Sequence, residues 1–517
     1  MKKKLIALSF AVMGSHLVFA DNPIVQTKYT SDPAPMVASD GKLYVYTGHD
    51  EDGSTWYTMN DWQVFSTEDM VNWTEYPSPM GIKTVSWANG SAWAAQCCEK
   101  NGRYYWYFCA NKTGGSMAIG VATSNSPSAK FRSMTSPLSN QFWGEIDPTV
   151  LIDDDGKAYL YWGNPDLYCA ELASNMIRIQ NGPYKVDLTR ESFGGYKEKY
   201  KENGEEKTRI VGKDCYEEGP WIMKRDGMYY LVYAAGGVPE HISYSTSASP
   251  LGPWTYRGII MPTQGGSFTN HPGVVEYKGH WYFFYHNGAL PGGGGFTRSV
   301  CVEEFHFNQD GSFPTINMTT KGPDAIGTLN PFERVEAETM ATSKGVKSDV
   351  ETGRGVYIKN IDRSDYIRVR EVDFGEDGAK SITVAVKSDQ SPGKIRVQVS
   401  GMTGYQATID VPQTLDEWTE LSADFTNPIT GKHDVTFSFT SSQAGATSNL
   451  FFFDYWQCFP QTVGITEVNA AKTSSPHTRY FTLDGREVRH PQKGITIVVR
   501  SDGTVSKVYH NSLLNDE

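Results

Sequence analysis

One phrase recurs five times in the first 290 residues: a turn glycine, then aromatic side chains a few residues on. The copies are Gly41-Lys-Leu-Tyr-Val-Tyr46, Gly102-Arg-Tyr-Tyr-Trp-Tyr107, Gly156-Lys-Ala-Tyr-Leu-Tyr161, Gly227-Met-Tyr-Tyr-Leu-Val-Tyr233 and Gly279-His-Trp-Tyr-Phe-Phe-Tyr285. Hairpin units repeated at roughly 40–50 residues or a little more are the mark of a propeller-type array. Nine residues before the five glycines stand Asp32, Trp93, Asp147, Glu218 and Asn270, the last followed by His271. Equivalent positions in a radial array point at one axis. Three carboxylates in register are therefore expected to face one another, which is the layout of a carboxylate-driven active site.

The surrounding pattern is all-β. Turns such as Ser39-Asp40-Gly41 and Asp154-Asp155-Gly156 precede the aromatic strands, and Asp-Gly favours hairpins because both residues tolerate positive φ. Tyr44 and Tyr46 alternate with Leu43 and Val45, the period of a strand. The polar run from Tyr196 to Lys207 reads as a solvated loop insertion. Each acid closely precedes a proline, in Asp32-Pro33, Asp147-Pro148 and Glu218-Gly219-Pro220. Proline biases the residue before it towards extended backbone, as at the start of an innermost strand.

A chain of 517 residues suggests two or three domains. Its net charge of −12 argues against a nucleic-acid or anionic-membrane partner. Residues 1–20 read as a signal peptide, with Lys2, Lys3 and Lys4 ahead of an apolar stretch and Val18-Phe19-Ala20 at the cut. No cysteine follows that cut, so the expectation is a secreted or periplasmic protein without a lipid anchor, and no later run reaches the ~18–20 apolar residues of a membrane span. Seven cysteines in no regular framework read mostly as buried small apolar residues. The domain layout is a repeat module over 21–320, a Gly/Pro-containing link, a β-sandwich over 332–460, and a tail over 461–517 of two hairpins with turns at Asp484-Gly485 and Asp502-Gly503.

Glycoside hydrolysis needs one carboxylic acid to protonate the leaving oxygen and one carboxylate to activate water or attack the sugar. A third acid nearby holds the proton donor's pKa up. Three segments resemble glycoside hydrolase family 43: Asp32-Pro-Ala-Pro-Met-Val37, the stretch from Glu145-Ile-Asp147-Pro to Tyr-Leu-Tyr-Trp-Gly163, and Glu217-Glu218-Gly-Pro-Trp. Gly48-His-Asp-Glu51, Asp69-Met-Val-Asn-Trp73 and Trp87-Ala88 fit as well. The resemblance implies a five-bladed β-propeller and an inverting mechanism. It makes Asp32 the general base, Asp147 the acid that tunes and orients its partner, and Glu218 the general acid. Glu217 is the competing choice, and strand alternation turns it from the axis. By the same resemblance His271 is an axial residue beside a metal, usually calcium, and Arg298 a substrate contact. Trp93, in register in the second repeat, is a candidate wall of the sugar pocket.

Residues 332–460 resemble carbohydrate-binding module family 6, a β-sandwich (jelly-roll), in Val335-Glu-Ala-Glu-Thr339, Ser364-Asp-Tyr-Ile-Arg-Val369 and Asn449-Leu-Phe-Phe-Phe-Asp454-Tyr-Trp456. Glu336 and Glu338 are expected on one strand face. The resemblance groups them with Asp454 as a structural calcium site of hard oxygen ligands. Asn360 stands where the family has a Tyr, and Trp418 reads as a core ring rather than a stacking one. The activity implied is release of terminal pentose from arabinoxylan or xylan, with α-L-arabinofuranosidase ahead of β-xylosidase. Rivals are phosphorolysis or fructoside hydrolysis on the same scaffold, and a non-catalytic glycan-binding protein.

Overall fold

A computed structural model of the chain describes residues 21–460, apart from 213, 389–391, 414, 442 and 444, and in the tail 479–483, 485–488, 494–499 and 505–510. Residues 1–20, read above as a signal peptide, and the turn residues Asp484, Asp502 and Gly503 lie outside the described residues. Helix among the described residues is confined to the short turns Ile82–Thr84 and Arg190–Phe193.

The first module is a succession of five antiparallel sheets. They open with the strands β1 (Tyr29–Val37), β2 (Ala95–Lys100, preceded in its sheet by the short strand Ala88–Gly90), β3 (Thr149–Ile152), β4 (Tyr216–Arg225) and β5 (Gly273–Tyr277). In each sheet the next strand carries the aromatic phrase: Leu43–Asp50, Arg103–Lys112, Ala158–Trp162, Met228–Ala235 and His280–Asn287. The five turn glycines all have φ between 70° and 85°. A β-carbon at any of them would meet nothing, so backbone conformation rather than space selects glycine there.

Stacking explains why both faces of the aromatic strands are buried. Tyr44 and Tyr46 pack with Trp106 and Phe108 of the second sheet, while Leu43 and Val45 pack with Tyr282 and Phe284 of the fifth. Tyr107 and Cys109 meet Leu160 and Trp162, Tyr161 meets Leu231 and Tyr233, and Val232 shares a cluster with Phe283 and Tyr285. Each fully buried large side chain contributes about 1.5–3 kcal/mol. The opening strands also touch in order, β1 on β2, β2 on β3, β3 on β4, β4 on β5, and β5 on β1. The chain before β1 lies along the last strand of the fifth sheet, with Ile24 N donating to Val300 O (2.9 Å) and Asn22 exchanging two bonds with Val302.

The expected loop at 196–207 is instead a paired hairpin, Gly195–Glu202 against Glu205–Gly212, turning at Asn203-Gly204. Both turn residues have positive φ, 54° and 86°. Asn-Gly is a strong hairpin signal, and the charge of the run concealed it.

Residues 332–460 form two sheets facing each other. One holds Lys347–Glu351, Gly355–Lys359, Phe452–Pro460, Ala379–Ser388 and Leu415–Ile429. The other holds Thr342–Lys344, Tyr366–Asp373, Lys432–Thr440, Gly393–Val399 and Ala407–Val411. Ile367, Val384, Phe437, Phe453 and Trp456 fill the space between. This sandwich docks on the first module through Asp69-Met-Val-Asn-Trp73. Trp73 and Met340 exchange backbone bonds (3.0 and 3.1 Å), and the Asn72 side chain bonds both backbone groups of Arg370. In the tail, Arg479–Phe481 pairs with Glu487–Val488 and with Gly494–Val499, and the latter pairs with Val505–His510. All seven cysteines are buried free thiols.

Candidate active site

The three acids sit where strands are irregular. Register shifts fall in β1 between Ser31 and Ala34 and in β4 on either side of Glu218. Asp32 and Asp147 have φ of 51° and 56°, and Gly219 has 58°. The extended backbone expected before each proline is therefore wrong in all three copies. Left-handed backbone at a non-glycine residue costs about 1–3 kcal/mol and persists where its surroundings over-determine it. Here they do. Asp32 N donates to His286 Nδ1 (3.2 Å) and Gly219 N to Asp147 Oδ2 (2.9 Å). In the third copy the irregular position is Gly219, and the acid stands one residue earlier. A β-carbon on Gly219 would lie 3.1 Å from His271 Nδ1.

These bends bring Asp32, Asp147 and Glu218 into one pocket of about 120 Å³ with Trp93, His271 and Arg298. That is the space of a few water molecules, each about 30 Å³, and suits a single sugar ring. Trp56, Tyr57, Met59 and Ile146 complete the wall. Tyr57 packs edge-on against Phe296 (4.8 Å) and Trp93 (5.9 Å), and Trp93 Nε1 donates to Tyr57 O. Trp56 is 61% exposed at the mouth.

The electrostatics divide the acids. Burial pushes the Asp32 carboxyl up, but Arg298 leads a set of neighbours that outweighs it and holds the group below the usual carboxylate range. Arg298 Nη1 lies 3.1 Å from Asp32 Oδ1, and Ser31 Oγ donates to Oδ2 (3.0 Å). Arg298 is itself clamped by Asp50 through Nε and Nη2, both at 2.9 Å. Its guanidinium lies 5.1 Å over the Tyr57 ring. Glu218 goes the other way. Burial, with Glu217 and Asp32 adding to it, raises its carboxyl to about 7 against the opposing hydrogen bond from Asn164 Nδ2 (2.6 Å). Asp147 is raised well above its ordinary value by burial and then by Glu218. Burial lowers both histidines, His286 to about 3. His286 Nε2 faces Thr269 O at 3.0 Å, so the proton belongs on Nε2 and Nδ1 accepts from Asp32 N.

Every residue expected at the pocket reaches it. Arg298 lines it as a buried partner of two aspartates. Glu217 turns away, to a salt bridge with Lys197 (2.7 Å). Sequence reasoning missed Asp50 as the Arg298 clamp, although it lies inside the quoted Gly48–Glu51 motif. It also missed Tyr57, Asn164 and Glu240. Glu240 is a fourth buried carboxyl, raised well above its ordinary value by burial and Glu218. Its Oε2 accepts from Asn270 N (2.7 Å) and its Oε1 has no partner. No periodic signal marks Glu240, which stands just before an ordinary third strand, His241–Ser247. The Asp69–Trp73 motif does not line the pocket; it docks the sandwich.

The sandwich acids are arranged differently from expectation. The strand ends at Glu336, and Thr339 N turns back to Glu336 O (2.9 Å), so Glu336 and Glu338 do not share a strand face. Glu336 is chelated by Arg334 (2.8 Å twice), and Asp454 Oδ2 meets Arg354 and Arg334. Glu338 Oε2 and Asp454 Oδ1 are buried without partners. Two orphaned carboxylate oxygens beside a third carboxyl are the donor chemistry of a hard cation. Glu240, whose Oε2 accepts from the N of Asn270, the residue before His271, also has a buried oxygen without a partner. Among the described residues the group that brings three ligand atoms within 4.8 Å of one another is a different one, His49, Glu51 and Asp61. Trp418 is not a core ring: it lies half-buried on the outer face, with Arg354 4.6 Å over it and its Nε1 donating to Glu351.

The family model for glycosyl hydrolases family 43 matches residues 20–313, and that for carbohydrate binding module family 6 matches residues 336–458. A relative from Bacillus subtilis named arabinoxylan arabinofuranohydrolase is 31% identical over 84% of this chain and 92% of its own. A crystal structure of a family 43 arabinoxylan arabinofuranohydrolase from Bacillus subtilis, in complex with cellotetraose, superimposes with a TM-score of 0.70. It is 28% identical and covers 86% of this chain and 98% of that one. A family 43 β-xylosidase/α-arabinofuranosidase from a compost microbial metagenome, with xylotriose and in a calcium-free form, is 31% identical with a TM-score of 0.51. It covers 57% of this chain and 97% of its own.

Proposed function

The chain belongs to glycosyl hydrolase family 43, and from that premise we propose that it is an exported, inverting α-L-arabinofuranosidase that removes terminal arabinose from arabinoxylan. One observation carries the reading: one pocket of single-sugar size holds a carboxylate kept ionised by Arg298 and a carboxyl kept protonated to about 7. Asp32 takes a proton from water as the water oxygen bonds to the anomeric carbon. Glu218 gives its proton to the glycosidic oxygen as the bond to it breaks. Asp147 orients the Glu218 turn by accepting from Gly219 N, while burial and the charges of Glu217 and Asp32 keep the acid protonated. Arg298 holds Asp32 in place, and neutral His271 offers its ring to a sugar hydroxyl. Trp56, Tyr57 and Trp93 supply the apolar walls.

The five sheets are read as five blades of a closed propeller, which the order of their contacts supports. The reading of residues 1–20 as a signal peptide supports export. Calcium is the ion suited to Glu336, Glu338 and Asp454 in the sandwich, and to the neighbourhood of His271. When bound it supplies fixed positive charge that offsets the crowded carboxylates.

The test is an NMR time course on wheat arabinoxylan and on xylobiose. Arabinose released as the inverted anomer is the expected product. Xylose from xylobiose with no arabinose from the polymer makes the enzyme a β-xylosidase. Retention at the anomeric carbon overturns the roles given to Asp32 and Glu218.

A further inference from the structure

The insertion hairpin is a charged element outside the proposed mechanism, yet it reaches the strand that carries the acid. Its first strand brings Lys197 Nζ to 2.7 Å from Glu217 Oε1, with the two side chains only 22% and 15% exposed. Its second strand sets Ile210 over Gly237, where a β-carbon would lie 3.1 Å from Ile210 Cδ1 and 4.0 Å from Glu217 Oε2. Glu217 is thus covered by the hairpin, and its Oε2 is buried and accepts no hydrogen bond. Lys197 supplies the counter-charge of a carboxylate that directly precedes Glu218. In a poorly solvated site such a charge is felt across several ångströms.

We infer that Lys197 is a positioning residue of the reaction: its ammonium holds and neutralises the Glu217 carboxylate that directly precedes the acid Glu218. The inference rests on Glu218 being the acid. Burial is the main cause of the raised Glu218 carboxyl, and Glu217 is the leading charge that adds to it. The other groups facing Glu218 are Asp32 from β1, Asp147 before β3, Arg298, Glu240, His271, Tyr57, Tyr216 and the Asn164 amide. Around the Lys197–Glu217 pair stand Cys215 and Asp214, the latter bonded to His241 and Tyr256.

The experiment compares full-length Lys197→Met, Glu217→Gln and the double variant by kcat/KM against pH on arabinoxylan oligosaccharides, with xylobiose alongside. Lys197→Met leaves a negative charge unpaired beside the acid, so the alkaline limb moves up by about half a pH unit. Glu217→Gln leaves the ammonium unpaired, and the limb moves down by a similar amount. In the double variant the shifts cancel and the wild-type limb returns. Lys197→Arg keeps the charge and the limb. A purely structural role lowers turnover at every pH without moving the limb. Limbs unmoved in both single variants, or moved in the same direction, overturn the inference, as does a Lys197→Arg limb displaced like that of Lys197→Met. Should xylose be released and arabinose not, the arabinofuranosidase reading fails while the limbs are still read on xylose.

Discussion

Replacing Glu218 with Gln should stabilise the protein in a pH-dependent way while abolishing its chemistry. The folded site raises this carboxyl from 4.5 to about 7. A carboxyl raised on folding contributes stability that is fully present below its unfolded value and lost as pH rises through its folded value. The window is therefore pH 4.5 to about 7. Each unit is worth 1.36 kcal/mol, so wild type loses about 3 kcal/mol across the window. The figure is an upper bound, because the side chain is partly exposed at the pocket mouth and Asp147 and Glu240 relax when it changes. Glutamine keeps the shape and the acceptor for Asn164 Nδ2 and has no charge to lose. At about 2 °C per kcal/mol for a large domain, the variant's melting temperature relative to wild type should rise by roughly 5 °C between pH 5 and pH 8. Differential scanning calorimetry at the two pH values reads this directly. Activity should fall by about 10²–10⁴. A melting difference that is the same at both pH values, or larger at pH 5, would refute the claim that burial and like charges hold Glu218 protonated.

Three further outcomes follow from the same geometry. The kcat/KM profile should be bell-shaped, with an alkaline limb near 7 from Glu218 and an acid limb below the ordinary 3.8 from Asp32; a limb near 5 on the acid side would contradict the Arg298 pairing. Asp50→Asn leaves Arg298 buried with half its clamp, and should cost about 3–5 kcal/mol in urea unfolding and lower kcat, since Asp32 loses its fixed partner. Chelation by EDTA should lower the melting temperature of the sandwich, where Glu338 and Asp454 have orphaned oxygens, and calcium should restore it; an unchanged sandwich transition would mean that Arg334 and Arg354 already satisfy the cluster.

Much of the architecture was legible because it is periodic. Gly41, Gly102, Gly156, Gly227 and Gly279 mark one turn repeated five times, and each sits at positive φ before the second strand of a sheet. Asp32, Asp147 and Glu218 were legible for the same reason. Local rules failed where neighbours override them. The residue before proline is extended on its own preference, yet Asp32 and Asp147 are left-handed because bonds to His286 and Gly219 hold them there. Charge made 196–207 read as a loop, although Asn203-Gly204 already announced a hairpin. The Asp69–Trp73 pattern read as part of the family resemblance, and in the structure it anchors the sandwich. Trp418 read as core because a lone Trp in a strand usually is, and it lies on the outer face under Arg354.

The sequence alone determined the all-β class and the repeat, and it pointed to the three acids that the structure brings into one pocket, since each is written in short-range spacing that survives without knowledge of contacts. Only the tertiary structure decided which acid is charged. That depends on Arg298 reaching Asp32 and Asp50 from 248 residues beyond Asp50, on Lys197 covering Glu217, and on Glu240 joining the cluster from an otherwise ordinary strand. A carboxyl's proton affinity is set by burial and by charges within a few ångströms, and no local pattern records which distant residues supply them.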